Sequence, residues 1–389
     1  MPKIIKDDIN TTWTINGDSK TWTLQPQASI TVNNMAAIHV LDTSLANTLK
    51  LKGDIVASGA GGQGVDVDGV NTRIMIGRQA EIDADRGIDA TANGLRVINK
   101  GEIDGLHYGI ANSGSSTIRN SGDISGDSAI STLGTSKVIN SEDGMIQGDF
   151  AGVIMTAGSN AMLTNHGLIS GNDFAIRMLT GGENELVNTG TIHGNILFGV
   201  GDDLLDSRKG TIDGTVAGGD GDDVYRIGKN DISIVEEADD GFDTVYSMIS
   251  YELSDDIEQL ILTGKRDVDA FGNDDDNVLV GNKGDNHIRG RGGDDEIAGG
   301  RGDDQLWGEA GNDTFIFKIG DGQDTIQDFD AGDDRIHLEG FEGLTDFAAL
   351  ESEMFKNGSD VWIELGDDVL ILRNTDTSEL DASHFSFAA

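Results

Sequence analysis

The 389-residue chain carries 69 acidic against 27 basic residues, a formal net charge of −42, with 55 Gly, 2 Pro and no Cys. This balance excludes a nucleic-acid partner, because gripping a polyanion relies on Lys and Arg displacing its counterions and no basic stripe is present. Without Cys there are no disulfides and no thiolate metal sites, which leaves oxygen donors of the kind Ca²⁺ takes, and hydrophobic residues at 37% recurring at regular intervals argue for a turn-rich fold over disorder.

Met1 to Asn10 lacks the apolar stretch of a cleaved signal peptide, and no run of about 18 apolar residues that could span a bilayer occurs. Residues 1–49 read as an N-terminal cap. Trp13 and Trp22 are expected to cover the open end of a solenoid, since an uncapped coil exposes both its core and its strand edges. Stacking on a glycan is the alternative role for these two rings.

Residues 50–215 repeat a G-x-I-x-G unit, as in Gly101-Glu102-Ile103-Asp104-Gly105, Gly122-Asp123-Ile124-Ser125-Gly126 and Gly167-Leu168-Ile169-Ser170-Gly171. The closing glycines fall at Gly105, Gly126, Gly148, Gly171, Gly194 and Gly214, and this nearly constant step is the length of one solenoid coil. A second apolar residue follows each Ile (Ile88, Ile110, Ile130, Ile154, Ile176), and a third precedes an Asn (Val97, Ile118, Ile139, Val187). Three short strands per coil, parted by Gly and Asn turns, predict a right-handed parallel β-helix with a stacked aliphatic core. The recurrent Asn99, Asn120, Asn140, Asn165 and Asn188 are expected either in left-handed turns or as an inward Asn ladder.

The same coils offer few catalytic candidates. Glu81, Glu102 and Asp123 share one repeat position, giving an acidic ladder at about 5 Å spacing that reads as a solvated face, with a cation site as the alternative. His107, beside Tyr108 and shortly after Asp104, reads as a solvated loop residue. His166 and His193 occupy different repeat positions, which speaks against a metal pair.

From Gly272 to Ile316 the chain divides into five consecutive nonapeptides, GNDDDNVLV, GNKGDNHIR, GRGGDDEIA, GGRGDDQLW and GEAGNDTFI. Each opens on Gly, carries Asn277, Asn286, Asp295, Asp304 or Asp313 at its sixth position, and places Leu279, Ile288, Ile297, Leu306 or Phe315 at its eighth. This register resembles the RTX, or haemolysin-type calcium-binding, family. The resemblance implies an all-β architecture in which the N-terminal parallel β-helix is followed by a Ca²⁺-binding parallel β-roll over residues 216–345.

Glycines let each turn take φ > 0 and aim carbonyls inward, the sixth-position carboxylate supplies charge, and the eighth residue enters the core. Successive turns fall on opposite edges, so every second nonapeptide stacks and an ion would lie between turns n and n+2. One ion is expected between Arg291-Gly293-Asp295 and Gly308-Ala310-Asp313, and another between Asn282-Gly284-Asn286 and Gly299-Arg301-Asp304. A weaker one joins Asn273-Asp275-Asn277 to Gly290-Gly292-Asp295. Gly300, Gly302 and Gly311 belong to the same turns. Five turns enclose about three full sites, and the Asn-bearing pair should bind less tightly because ligand charge is lower. Outlying copies place Asp203, Gly219, Gly221 and Asp223 near the end of the β-helix, and Asp324 in a terminal turn.

Three further segments fit the resemblance. Residues 241–264 resemble the connector that precedes such repeats, residues 324–341 the element that closes the roll, and residues 346–389 a C-terminal cap with a type I secretion signal. What this implies is a secreted protein, extracellular or at the cell surface, with the type I secretion machinery as a partner, that folds when it meets Ca²⁺. For the β-helix a structural, adhesive or surface-matrix role is expected, with polysaccharide or self-association as partner. The alternative is a polysaccharide lyase or epimerase. It is disfavoured because there is no Pro after Pro26 and the Tyr-Gly-x-Asp-Pro-His motif of alginate epimerases is missing.

Overall fold

A computed structural model describes the whole chain except residues 1, 2, 19, 43, 44, 157–159, 230, 231, 239, 240 and 389. It is nearly all-β, with 3% helix, and forms parallel β-solenoid coils, apart from antiparallel pairings near the C-terminus. The chain separates into two compact units, residues 1–221 with 232–234, and residues 222–231 with 235–389.

In the first unit the G-x-I-x-G isoleucines stack one per coil in the order Ile30, Ile55, Ile82, Ile103, Ile124, Ile146, Ile169, Ile192 and Ile212. All are buried, and each fully buried aliphatic side chain contributes roughly 1.5–3 kcal/mol by leaving water. The segment expected as a cap carries the same stacking, with Trp22 paired to Leu49 and Ile38 to Val65. Trp13 and Trp22 are 4% and 6% exposed and meet edge to face at 5.8 Å. Their burial removes the glycan-stacking role and leaves them in the apolar interior.

The expected three short strands become two. From Glu81–Ala90 onward, one long bent strand replaces two strands of the early coils: its first half pairs with Ile55–Ser58 and its second with Gln63–Val67. Gly105, Gly148 and Gly171 sit at the bend, where a Cβ would collide with the carbonyls of Tyr108, Ala151 and Phe174. Glycine therefore lets the strand turn the corner without ending.

The Asn residues form the ladder and not the left-handed turns. All five are buried, none has positive φ, and each Nδ2 donates to the next Oδ1 at 2.9–3.0 Å from Asn99 to Asn188, which passes the chain to Ser207 Oγ at 3.1 Å. The ladder also fixes which apolar neighbour is core, because residues i and i+2 share a strand face. Val97, Ile118, Val138, Leu163 and Leu186, two before each Asn, point in. Ile139 and Val187 lie one residue off and face outward, and Ile154 likewise yields the core position to Val153.

In the second unit the connector is already part of the roll. Tyr225, Val245, Leu260, Leu279, Ile297, Phe315, Ile336 and Phe385 stack in one parallel column. The opposite edge runs Ala270, Ile288, Leu306 and Ile326 to Leu372. The C-terminal residues close both edges: strand Phe385–Ala388 adds in parallel to Arg335–Glu339, and Asp368–Leu372 adds to Gln323–Ile326 while pairing antiparallel with Asp360–Leu365. No helix among the described residues is long and apolar enough to cross a membrane.

Candidate metal centre

The nonapeptide turns alternate between the edges, so the strands of every second turn pair in register, with Arg291 beside Glu309 and Gly292 beside Ala310. In the last three turns the second and fourth residues are left-handed: Arg291 and Gly293 at φ 87° and 89°, Gly300 and Gly302 at 87° and 134°, Glu309 and Gly311 at 69° and 151°. The same alternation marks Gly219 and Gly221 at 98° and 132°, and Gly320 and Gly322 at 89° and 107°. Left-handed residues spaced by two curl the backbone into a concavity lined by its own polar groups. At the first position a Cβ on Gly290, Gly299 or Gly308 would strike the Oδ2 of Asp295, Asp304 or Asp313, so the turn closes on its own carboxylate only with glycine there.

Each sixth-position carboxylate reaches back one coil with one oxygen. Asp295 Oδ1 accepts from Asn277 N at 2.8 Å, Asp313 from Asp295 N at 3.0 Å, and Asp334 from Asp313 N at 3.0 Å. On the other edge Asp304 accepts from Asn286 N at 2.7 Å and Asp324 from Asp304 N at 3.0 Å. The second oxygen is the informative one. Oδ2 of Asp295, Asp304 and Asp324 is buried with no hydrogen-bond partner in the protein. Burial pushes these carboxyls up to about 8, 7 and 9, neighbouring carboxylates adding to the rise and the backbone amides opposing it. Asp321 and Asp334 rise to about 6 for the same first reason, and Asp313 and Asp328 rise too.

An ionised carboxylate held this way without a counter-charge is strongly disfavoured. A cation accepting oxygen from two stacked turns removes the penalty, and an all-oxygen donor set at a flexible glycine turn suits Ca²⁺ above softer ions. The residues therefore fit the ion.

The Asn-bearing turns differ in a way that ligand charge alone does not capture. Asn273 Nδ2 donates to Ser254 O and Ile257 O at 2.8 and 3.1 Å, Asn277 Nδ2 to Ile257 O at 3.1 Å, Asn282 Nδ2 to Arg266 O at 3.1 Å, and Asn286 Nδ2 to Val268 O at 2.6 Å. Asn273 and Asn282 also accept from Asp275 N and Gly284 N within their own turns, and neither turn has a left-handed residue. The Asn amides are thus spent on carbonyls of the preceding coil.

Of the outlying candidates, Asp203 accepts from Asn184 N at 2.6 Å, and burial lifts it to about 7. Asp223 joins Glu236 and Asp243 in a buried group whose carboxylate oxygens lie within 4.8 Å of one another, with the Tyr225 hydroxyl donating to Glu236. Sequence reasoning missed Glu236 and Asp243. Asp243 was findable, since it precedes Thr-Val-Tyr much as Asp223 precedes Val-Tyr, and it accepts from Asp223 N at 2.8 Å as the later aspartates do. Asp368 was missed as well: from the C-terminal hairpin it accepts from Gly320 N and Gly322 N at 2.9 and 3.0 Å, fixing the terminal turn that holds Asp324.

On the β-helix, Glu81, Glu102 and Asp123 do stack in register and are exposed, and desolvation followed by repulsion from Glu102 raises Glu81. His107 is exposed and paired with Asp85 at 2.6 Å, while His166 and His193 bond separately to Thr189 and Asp213.

Residues 271–306 and 292–326 match the family model of the RTX calcium-binding nonapeptide repeat. This segment is an RTX calcium-binding array. The chain is 44% identical over 149 residues to the endo-1,3-1,4-beta-glycanase EglC of Rhizobium meliloti, and 38% identical over 151 residues to ExsH, a glycanase of the same name and organism. These matches cover 38% and 39% of this chain, which spans only 30% of the length of either relative. Among solved structures, the extracellular lipase LipA of Serratia marcescens shares 18% identity at a TM-score of 0.22, over 52% of this chain and 39% of that one. The RTX match supports calcium binding.

Proposed function

We propose that the chain is a secreted protein whose RTX roll is held unfolded by its own charge until Ca²⁺ outside the cell lets it fold, and whose β-helix serves a structural, adhesive or surface-matrix role. The observation that carries this reading is the set of buried, unpartnered Oδ2 atoms of Asp295, Asp304 and Asp324. Ions that bind only the folded state stabilise it by mass action, so the roll becomes a calcium-dependent folding switch. Export by a type I route in the unfolded state, with the C-terminal segment as signal, follows from the family resemblance. The test is circular dichroism of the full-length protein in EDTA and then in excess Ca²⁺, alongside calorimetry. β signal that rises with Ca²⁺ uptake supports the proposal; identical spectra and no heat reject it.

The glycanase names of the two relatives make polysaccharide a ligand class to test on this chain. A groove of about 460 Å³ crosses the coils between Asp104, Ser125, Gln147, Asp149, Ser170 and Asn172. Its lining offers hydrogen-bonding groups and two carboxylates but no cation, so it suits a neutral glycan and lacks the group that would neutralise a uronate for elimination or epimerisation. Incubation with neutral and acidic polysaccharides separates the readings. Binding to neutral glycans without product supports the structural role, whereas unsaturated products absorbing in the ultraviolet, or epimerised residues in proton NMR, establish the enzymatic one.

A further inference from the structure

The geometry points to a second kind of metal site, on the first unit, for a first-row transition ion such as Zn²⁺, made by His39 Nε2, Asp66 Oδ2 and Asp68 Oδ2. His39 lies in strand Ala36–Val40 and Asp66 in Gln63–Val67, and the parallel register sets them directly side by side on consecutive coils. Asp68 follows Asp66 with only the buried Val67 between, so both carboxylates leave the same face. His39 Nε2 is 3.4 Å from Asp66 Oδ2 and 3.1 Å from Asp68 Oδ2, and the three atoms lie within 4.8 Å of one another.

The two His–Asp spacings are compatible with a coordination polyhedron, the shorter being also that of a hydrogen bond between His39 Nε2 and Asp68 Oδ2. An ion held at about 2.0–2.2 Å has neighbouring ligands about 2.9 Å apart if octahedral and about 3.4 Å apart if tetrahedral. Ca²⁺ is a poor fit, because it takes six to eight oxygens and here one of three donors is an imidazole nitrogen. The charge also balances: two carboxylates and a neutral imidazole offset a divalent ion, whereas without one a single imidazole nitrogen faces two carboxylates.

Neighbouring groups hold the donors in place. Thr91 Oγ1 donates to Asp68 Oδ1 at 3.1 Å. Asp89, next to Asp66 in the ladder, accepts from Arg86 and from Gln63 Nε2, each at 2.8 Å, through its Oδ2. The side chains of His39, Asp66 and Asp68 are 31%, 23% and 38% exposed, open enough to admit the ion.

The test is calorimetric titration of Zn²⁺ into the full-length protein already saturated with Ca²⁺, which occupies the oxygen-only sites first. Wild type should show one class of uptake that is at least tenfold weaker, or lost, in both His39→Ala and Asp68→Asn, with circular dichroism unchanged. Two variants are used because His39→Ala alone could perturb the strand. If Ca²⁺-saturated wild type takes up no Zn²⁺, or if both variants titrate like wild type, the assignment is overturned.

Discussion

Replacing Asp304 by Asn keeps the shape of the side chain and the acceptor that meets Asn286 N, but turns the unpartnered oxygen into an amide and removes one buried charge. The turn tolerates an amide, as Asn286 in the same column shows. Burial lifts the Asp304 carboxyl to about 7. Against an unfolded value near 4, that is about three pH units, or about 4 kcal/mol, and water reaching the turn reduces it to about 2–4 kcal/mol. The folded value lies above the unfolded one, so the penalty is absent below pH ~4 and complete above about 7. In EDTA at mildly alkaline pH, Asp304→Asn should therefore be the more stable protein by that amount. In Ca²⁺ the order should reverse, with affinity at that site weakened by about tenfold or more through loss of ligand charge. Urea unfolding followed by circular dichroism under both conditions, with a Ca²⁺ titration, reads both effects. A variant less stable than wild type in EDTA, with an unmoved Ca²⁺ midpoint, would refute the electrostatic argument.

Ca²⁺ uptake should release protons between pH 7 and 9, because Asp304 near 7, Asp295 near 8 and Asp324 near 9 must ionise to bind; calorimetry in buffers of different ionisation heat should give different apparent enthalpies. For the same reason the metal-free roll should lose stability as pH rises from about 5 to 9, since its folded state holds these protons longer than the unfolded chain does. Asn140→Ala breaks the ladder in both directions, depriving Asn165 Oδ1 of its donor and Asn120 Nδ2 of an acceptor. It should cost about 3 kcal/mol or more in the first unit, visible by thermal melting, while Ca²⁺ binding to the roll is retained. Glu309→Gly relieves a left-handed residue at φ 69° and should stabilise the Ca²⁺-loaded roll by about 1 kcal/mol in urea unfolding; destabilisation would mean that its contact with Arg289 outweighs the backbone strain.

Much of this molecule is legible in its repeats. The isoleucine column and the stacking of every second nonapeptide each follow from a periodic side-chain choice, whereas the recurrent Asn fitted either left-handed turns or a ladder until the structure showed the ladder. Sequence and structure part where two apolar residues adjoin. Val138 and Ile139 are equally good core candidates by composition, and only the inward turn of Asn140 decides that Val138 is buried. The strand fusion at Gly105 and Gly148 was hidden as well, because a glycine reads as a turn whether the chain ends a strand there or merely bends.

The amino-acid order alone determined the β-solenoid, the acidic oxygen chemistry and the edge on which each nonapeptide turn falls, because local periodicity dictates which way a side chain points. It did not determine which distant groups meet. Coil length varies, the step from Ile55 to its stacked neighbour Ile82 being longer than that from Ile192 to Ile212, so cross-coil neighbours are set by how each loop closes. That is why Glu236 beside Asp223, Asp368 beneath the last turn and His39 against Asp66 emerge only from the folded chain, where parallel register converts separation along the sequence into contact.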